Sequence, residues 1–201
     1  MKKLLITLLI IACAAAAQAQ TGDNDTNAQD PAAVAVKQLA SREPLVRQHA
    51  AEELARLEAT DQRRVIEGYR LQEKNERVRL ALDWALYRLG KKESLFPVAR
   101  ALDSSRSAQA SSYLLTLDRP EPLYLFLERM NGNTQVKLLE ILAKIGNAET
   151  LEKIKPYTES FDPKIAEAAK KAADEIEHRD GQSPANTTTR PRQVGSGENS
   201  P

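Results

Sequence analysis

The sequence predicts an all-α protein built as a row of about five helical hairpins. Three observations predict it. A thirteen-residue amphipathic pattern recurs five times, a helix-capping residue stands three positions before most copies, and a shorter apolar stretch precedes each one. Copies starting at 46, 78, 106, 134 and 165 are spaced by about 30 residues, a period that marks a stacked array.

The elements follow in order. Short helices are expected near 31–41, 61–72, 92–103, 120–130 and 148–159, each followed by one of the five longer ones: "VRQHAAEELARLE", "VRLALDWALYRLG", "RSAQASSYLLTLD", "TQVKLLEILAKIG" and "IAEAAKKAADEIE". The fifth place of each copy is Ala50, Leu82, Ala110, Leu138 or Ala169, and the twelfth is Leu57, Leu89, Leu117, Ile145 or Ile176. Places seven apart share one helix face, so these residues form the seam of the predicted core. Glu43, Asn75, Asp103, Asn131 and Asp162 stand where the helices start; Asn and Asp side chains accept from the free N–H groups of a first turn. Pro44 and Pro163 follow two of them at the first helical position, where a missing N–H costs nothing. Gly90 and Gly146 close two helices. One hairpin cannot bury its apolar side alone, whereas neighbours in a row share a continuous core. The last copy, with Ala169, Ala172, Ala173 and Ile176 ringed by charge, suits an end cap.

Outside the array, residues 1–19 have the form of a secretory signal peptide: basic Lys2-Lys3, an apolar run, and a small-x-small site at Ala17-Gln18-Ala19. The run is shorter than the ~20 residues a spanning helix needs, so no membrane span is expected. Cleavage would leave Gln20 at the N-terminus of a periplasmic or secreted protein without cysteine. Alternatively Ile10-Ile11-Ala12-Cys13 resembles a lipobox, which would place a lipid anchor on Cys13. Residues 20–30 read as a flexible leader, 31–179 as the repeat domain, and 180–201 as a disordered polar tail.

Composition excludes several classes. Lys plus Arg number 29 against 28 Asp plus Glu, so no global charge attracts nucleic acid. The two histidines, His49 and His178, lie far apart along the array, and no Gly-rich phosphate loop is present. Ser111-Ser112 have no His near them to activate a nucleophile. No catalytic residue, metal ligand or cofactor is expected.

"VRQHAAEELARLE" and "VRLALDWALYRLG" closely resemble the second helix of HEAT repeats, especially the short kind also found in phycobilisome-lyase-like proteins. The resemblance covers about 31–179 and implies a right-handed α-α superhelix. It also implies a non-catalytic scaffold that binds a protein or peptide, and we expect a monomer. The alternatives are a lyase-like enzyme of the bilin-lyase branch and a chaperone-like envelope assembly factor. Copies three and five depart from the pattern, with Arg106-Ser107 and Ile165-Ala166 in place of Val-Arg.

Places three, seven and ten of each copy face away from the seam, and the resemblance places them on the concave side. They are polar in copy one (Gln48, Glu52, Ala55) but apolar in copy two (Leu80, Trp84, Tyr87), and Leu115 and Val136 extend that character. Rimmed by Arg47, Arg79, Asp83 and Arg88, this stripe is either an exposed recognition surface anchored on Trp84 and Tyr87, or a second buried contact in which Trp84 turns sideways against a first-type helix or a chain terminus.

Overall fold

A computed structural model describes residues 30–181. The described residues are all helical, with ten α-helices packed together and no strand among them. They are α1 (Pro31–Gln38), α2 (Pro44–Arg56), α3 (Arg63–Gln72), α4 (Glu76–Arg88), α5 (Leu95–Arg100), α6 (Ser107–Leu114), α7 (Glu121–Arg129), α8 (Gly132–Ile145), α9 (Ala148–Ile154) and α10 (Pro163–Gly181). Short 3₁₀ turns at Thr60–Gln62, Lys92–Ser94, Ala101–Asp103 and Lys155–Glu159 extend the odd-numbered helices. Each expected short and long helix is therefore present, in the expected order. The signal segment, the leader before residue 30 and the tail beyond 181 lie outside the described residues.

The seam is the core. All five fifth-place residues are fully buried, as are Leu89, Leu117 and Ile176 at the twelfth place; Leu57 and Ile145 are half-buried. Each odd helix packs on the even helix that follows it. Among the even helices, α2 lies along α4 and α8 along α10, whereas α6 touches α4 and α8 only lightly. The cause is local. Ser112 Oγ donates to the carbonyl of Gln109 at 2.8 Å and Thr116 Oγ1 to that of Tyr113 at 2.7 Å. Such back-bonding competes with the helical ladder, and α6 ends after eight residues.

The caps are partly as expected. Asn75 Oδ1 accepts from the N–H groups of Arg77 (3.0 Å) and Val78 (3.3 Å), and Asp162 Oδ1 from Lys164 (2.9 Å). Glu43 and Asn131 occupy cap positions without a side-chain bond. Asp103 is not a cap: α6 starts later, at Ser107, and Asp103 instead accepts from Asn133 Nδ2 at 2.9 Å. A further device was not visible in the repeat pattern. Arg179 of α10 donates to the carbonyls of Ala143 and Lys144 (2.9 Å each) and Gly146 (2.5 Å), satisfying the orphan acceptors at the end of α8.

Polar links join neighbouring units, several of them at the repeat spacing. Arg88–Glu58, Arg106–Glu76, Asn133–Asp103 and Tyr157–Leu127 are each thirty residues apart, and Gln109–Arg77 thirty-two.

Two glycines separate backbone entropy from packing. Gly68 lies inside α3 with open space where a Cβ would project, so Gly68→Ala should raise stability by about 0.5–1 kcal/mol. At Gly146 a Cβ would sit 2.4 Å from the Leu142 carbonyl oxygen and 2.9 Å from both Ile176 Cδ1 and Thr150 Cγ2. Gly146→Ala should cost about 1–3 kcal/mol. Urea titration of both variants checks the opposite signs.

Candidate functional site

The α4 stripe is the starting point, and it is buried. Trp84 and Leu80 are each 5% exposed, while Tyr87 is half-buried. The exposed-surface reading of Trp84 is therefore corrected. Because α6 stands off α4, the space between them is filled by rings. The Trp84 indole stacks on Tyr113 of α6 with centroids 5.5 Å apart and planes 9° from parallel, and Tyr87 tilts against it at 5.6 Å. Trp84 thus packs sideways, but against a neighbouring even helix rather than a short helix or a chain end. The Arg88 guanidinium lies 5.9 Å from the Trp84 ring centre.

Tyr113 carries the contact further. Its hydroxyl donates to Glu52 Oε1 of α2 at 2.6 Å, the length expected when a hydroxyl meets a carboxylate. Gln109 Nε2 donates to the same hydroxyl at 2.7 Å, and Gln48 Nε2 to Glu52 Oε1 at 2.9 Å. Burial first, and the Glu52 bond second, push the Tyr113 phenol far above its usual range, so it stays an O–H donor. The chain Gln109–Tyr113–Glu52–Gln48 joins the third unit to the first, passing over α4.

Above these rings is a cleft of about 470 Å³. Ala55, Trp84 and Tyr113 form its floor, and Arg56, Ser112 and Thr116 its exposed rim. Glu52, Trp84 and Ser112 are place seven of copies one, two and three. A second cleft, of about 440 Å³ between α8 and α10, is lined by Val136, Glu140 and Ala143 with Glu167 and Lys171, again places three, seven and ten. The two surfaces therefore share one register.

The other expected site residues do not gather on a common rim. Arg47 is a staple: Nε and Nη2 meet the two Glu73 oxygens at 2.7 and 3.0 Å, and Nη1 donates to the carbonyls of Ser41 and Arg42. Glu73 also accepts from the Asn75 N–H. Asp83 is buried and takes Arg70 Nε at 2.6 Å; burial pushes its carboxyl up, and the Arg70 hydrogen bond opposes this. With Leu80 and Arg79, Asp83 lines a separate cavity. Arg88 is the exception: it lines the cleft over Trp84 as expected, while it also pairs with Glu58 at 2.5 Å and with Tyr87 borders a third cleft. Leu115 is exposed, apart from all of these.

Tyr113, Glu52 and Gln109 are the residues that sequence reasoning missed in this role. Tyr113 holds place eight, a position taken by Ala85, Ile141 and Ala172 in other copies, which reads as plain core. Its signal was its size: it is the only aromatic residue of its helix. Among the described residues no helix is long and apolar enough to cross a membrane.

Trp84 should emit at short wavelength and resist acrylamide quenching. Trp84→Ala should cost about 3–5 kcal/mol in chemical denaturation. Tyr113→Phe keeps the ring stack and loses only the hydroxyl bonds, so it should cost about 1 kcal/mol.

Acid sensitivity should pass through Glu73. The Arg47 hydrogen bond is the main cause holding this carboxyl below the ordinary range. A carboxyl depressed in the folded state contributes stability above its unfolded pKa of about 4.3, and that contribution is lost as pH falls through the folded value. Glu73→Gln should therefore flatten the loss of stability below about pH 4, measured by urea titration across pH. No protein-family model matches the chain, and no curated protein matches it either.

Proposed function

We propose that the chain is an exported, non-catalytic scaffold. Its helical hairpins wind as a right-handed superhelix of the HEAT type and dock a protein or peptide partner in the cleft over Trp84 and Tyr113. The observation that carries this reading is the shared register: place seven of three successive units, Glu52, Trp84 and Ser112, lines one cleft. An array that repeats its cleft-facing positions presents an extended surface, the form such repeats use for partners. Polar links between successive units, such as Arg88–Glu58, Arg106–Glu76 and Asn133–Asp103, support the same reading.

Burial changes the role of the aromatic residues. Trp84 and Tyr113 make a rigid floor, and contact with the partner falls to the exposed rim of Arg56, Ser112 and Thr116. A floor fixed by stacking costs no ordering when a segment lies on it, which favours affinity.

Blocking the rim tests this. Ser112→Arg with Thr116→Arg alters two exposed side chains and removes their bonds to the Gln109 and Tyr113 carbonyls, so helical content and protection of Trp84 from acrylamide, both expected to stay native-like, are measured alongside capture. Capture of the partner from envelope extract by cross-linking should be lost in this variant and kept in Lys92→Glu. Equal capture by both would overturn the cleft assignment. Export is tested separately by intact mass, which should show a mature chain beginning at Gln20. A lipid on Cys13 at the N-terminus would instead make the protein membrane-anchored.

A further inference from the structure

A second cavity has a different chemistry. It lies between the first half of α4, the end of α5 and the loop leading to α6, with a volume of about 380 Å³. Its wall holds four guanidiniums, those of Arg70, Arg79, Arg100 and Arg106, against three carboxylates. Each carboxylate is already engaged. Asp83 takes Arg70 Nε at 2.6 Å, Glu76 pairs with Arg106, and Asp103 accepts from Asn133 Nδ2. The wall is therefore one positive charge in excess, and Arg79 and Arg100 make no side-chain hydrogen bond or ion pair among the described residues.

Each guanidinium offers five N–H donors, and a donor withdrawn from bulk water is normally paired. Arg79 is half-buried and has no such partner, while Arg100 is exposed at the mouth of the cavity. Arg100 is oriented by an aromatic face, its Cζ lying 5.9 Å from the Phe96 ring centre. A cation–π contact of this kind engages the guanidinium through its charge and leaves its N–H groups available to an oxyanion with two or three acceptor oxygens. The volume is near the lower end for ligand sites, about 300–1,000 Å³, enough for a small anion with its waters.

We propose that this cavity binds a small oxyanion, a phosphate or carboxylate group, through Arg79 and Arg100. Arg70 and Arg106, fixed by Asp83 and Glu76, supply background positive potential rather than direct bonds. The site is independent of the cleft over Trp84 and Tyr113, which shares none of its lining residues.

The test is a titration of the ¹⁵N-labelled full chain with sodium phosphate and, separately, sodium acetate, each against sodium chloride at matched ionic strength. Arginine Nε–Hε resonances are followed by NMR. The Arg79 and Arg100 signals should shift saturably while those of Arg63 and Arg64 follow the chloride control. In Arg79→Gln/Arg100→Gln the oxyanion affinity should fall at least tenfold. Arg100→Gln alone, at an exposed position, gives the same reading with the fold undisturbed, and should weaken binding severalfold. Saturation by phosphate at lower concentration than acetate assigns a phosphoryl ligand; equal saturation assigns oxyanions generally. Shifts equal to those in chloride, or an affinity unchanged in the variants, would overturn the proposal. Ser112→Arg/Thr116→Arg should bind the oxyanion normally, which keeps failure of the cleft reading distinct from failure of this one.

Discussion

The row of even helices depends on the stack of Tyr113 on Trp84, continued through the Tyr113 hydroxyl to Glu52. Elsewhere neighbouring even helices meet along much of their length, but α6 is too short to do so. Two rings replace the missing backbone proximity with area, and a hydroxyl that meets a carboxylate adds direction. An aromatic pair of this kind contributes about 0.5–1.5 kcal/mol beyond the area it buries. Removing either ring leaves the angle of α6 to α4 to the Gln109–Arg77 and Arg106–Glu76 links at one end of the helix.

The same geometry explains why the cleft is where it is. An α6 that meets α4 only lightly leaves a depression over the rings, walled on its other side by α2. Here the feature that weakens the packing also shapes the surface. Under the proposed reading, function and stability are placed in tension at one joint.

Periodicity made the fold readable. Fixed spacing of Ala50, Leu82, Ala110, Leu138 and Ala169 gave the buried face, and Asn75, Pro44, Asp162 and Pro163 gave helix starts. The site was less legible. A helical wheel states which way Trp84 points but not how far away the next helix lies, and that distance was set by the early end of α6. The local Ser and Thr bonding behind this ending involves ordinary surface residues. Arg47 and Asp83 were misread for a related reason: their partners, Glu73 and Arg70, lie on neighbouring segments outside the repeated stretch. The chemistry of a partner is carried by surface shape and is not written into the repeat at all.

The inter-unit links have a mechanical consequence. Those that join adjacent units act like springs in series, so a pull along the row loads each in turn and the weakest yields first. Tyr113–Glu52 crosses sixty-one residues and joins the first unit directly to the third. It acts in parallel with the links on either side of α4, so units one to three resist extension as a single element. Units four and five are held together by the long contact of α8 with α10 and by Arg179. Between units three and four the load falls on Asn133–Asp103, the Phe96–Phe126 ring pair and the packing of α8 on the turn at Ala101–Asp103. The protein is a pair of stiff segments with one yielding joint, and a tether built this way stretches at a place its sequence has chosen.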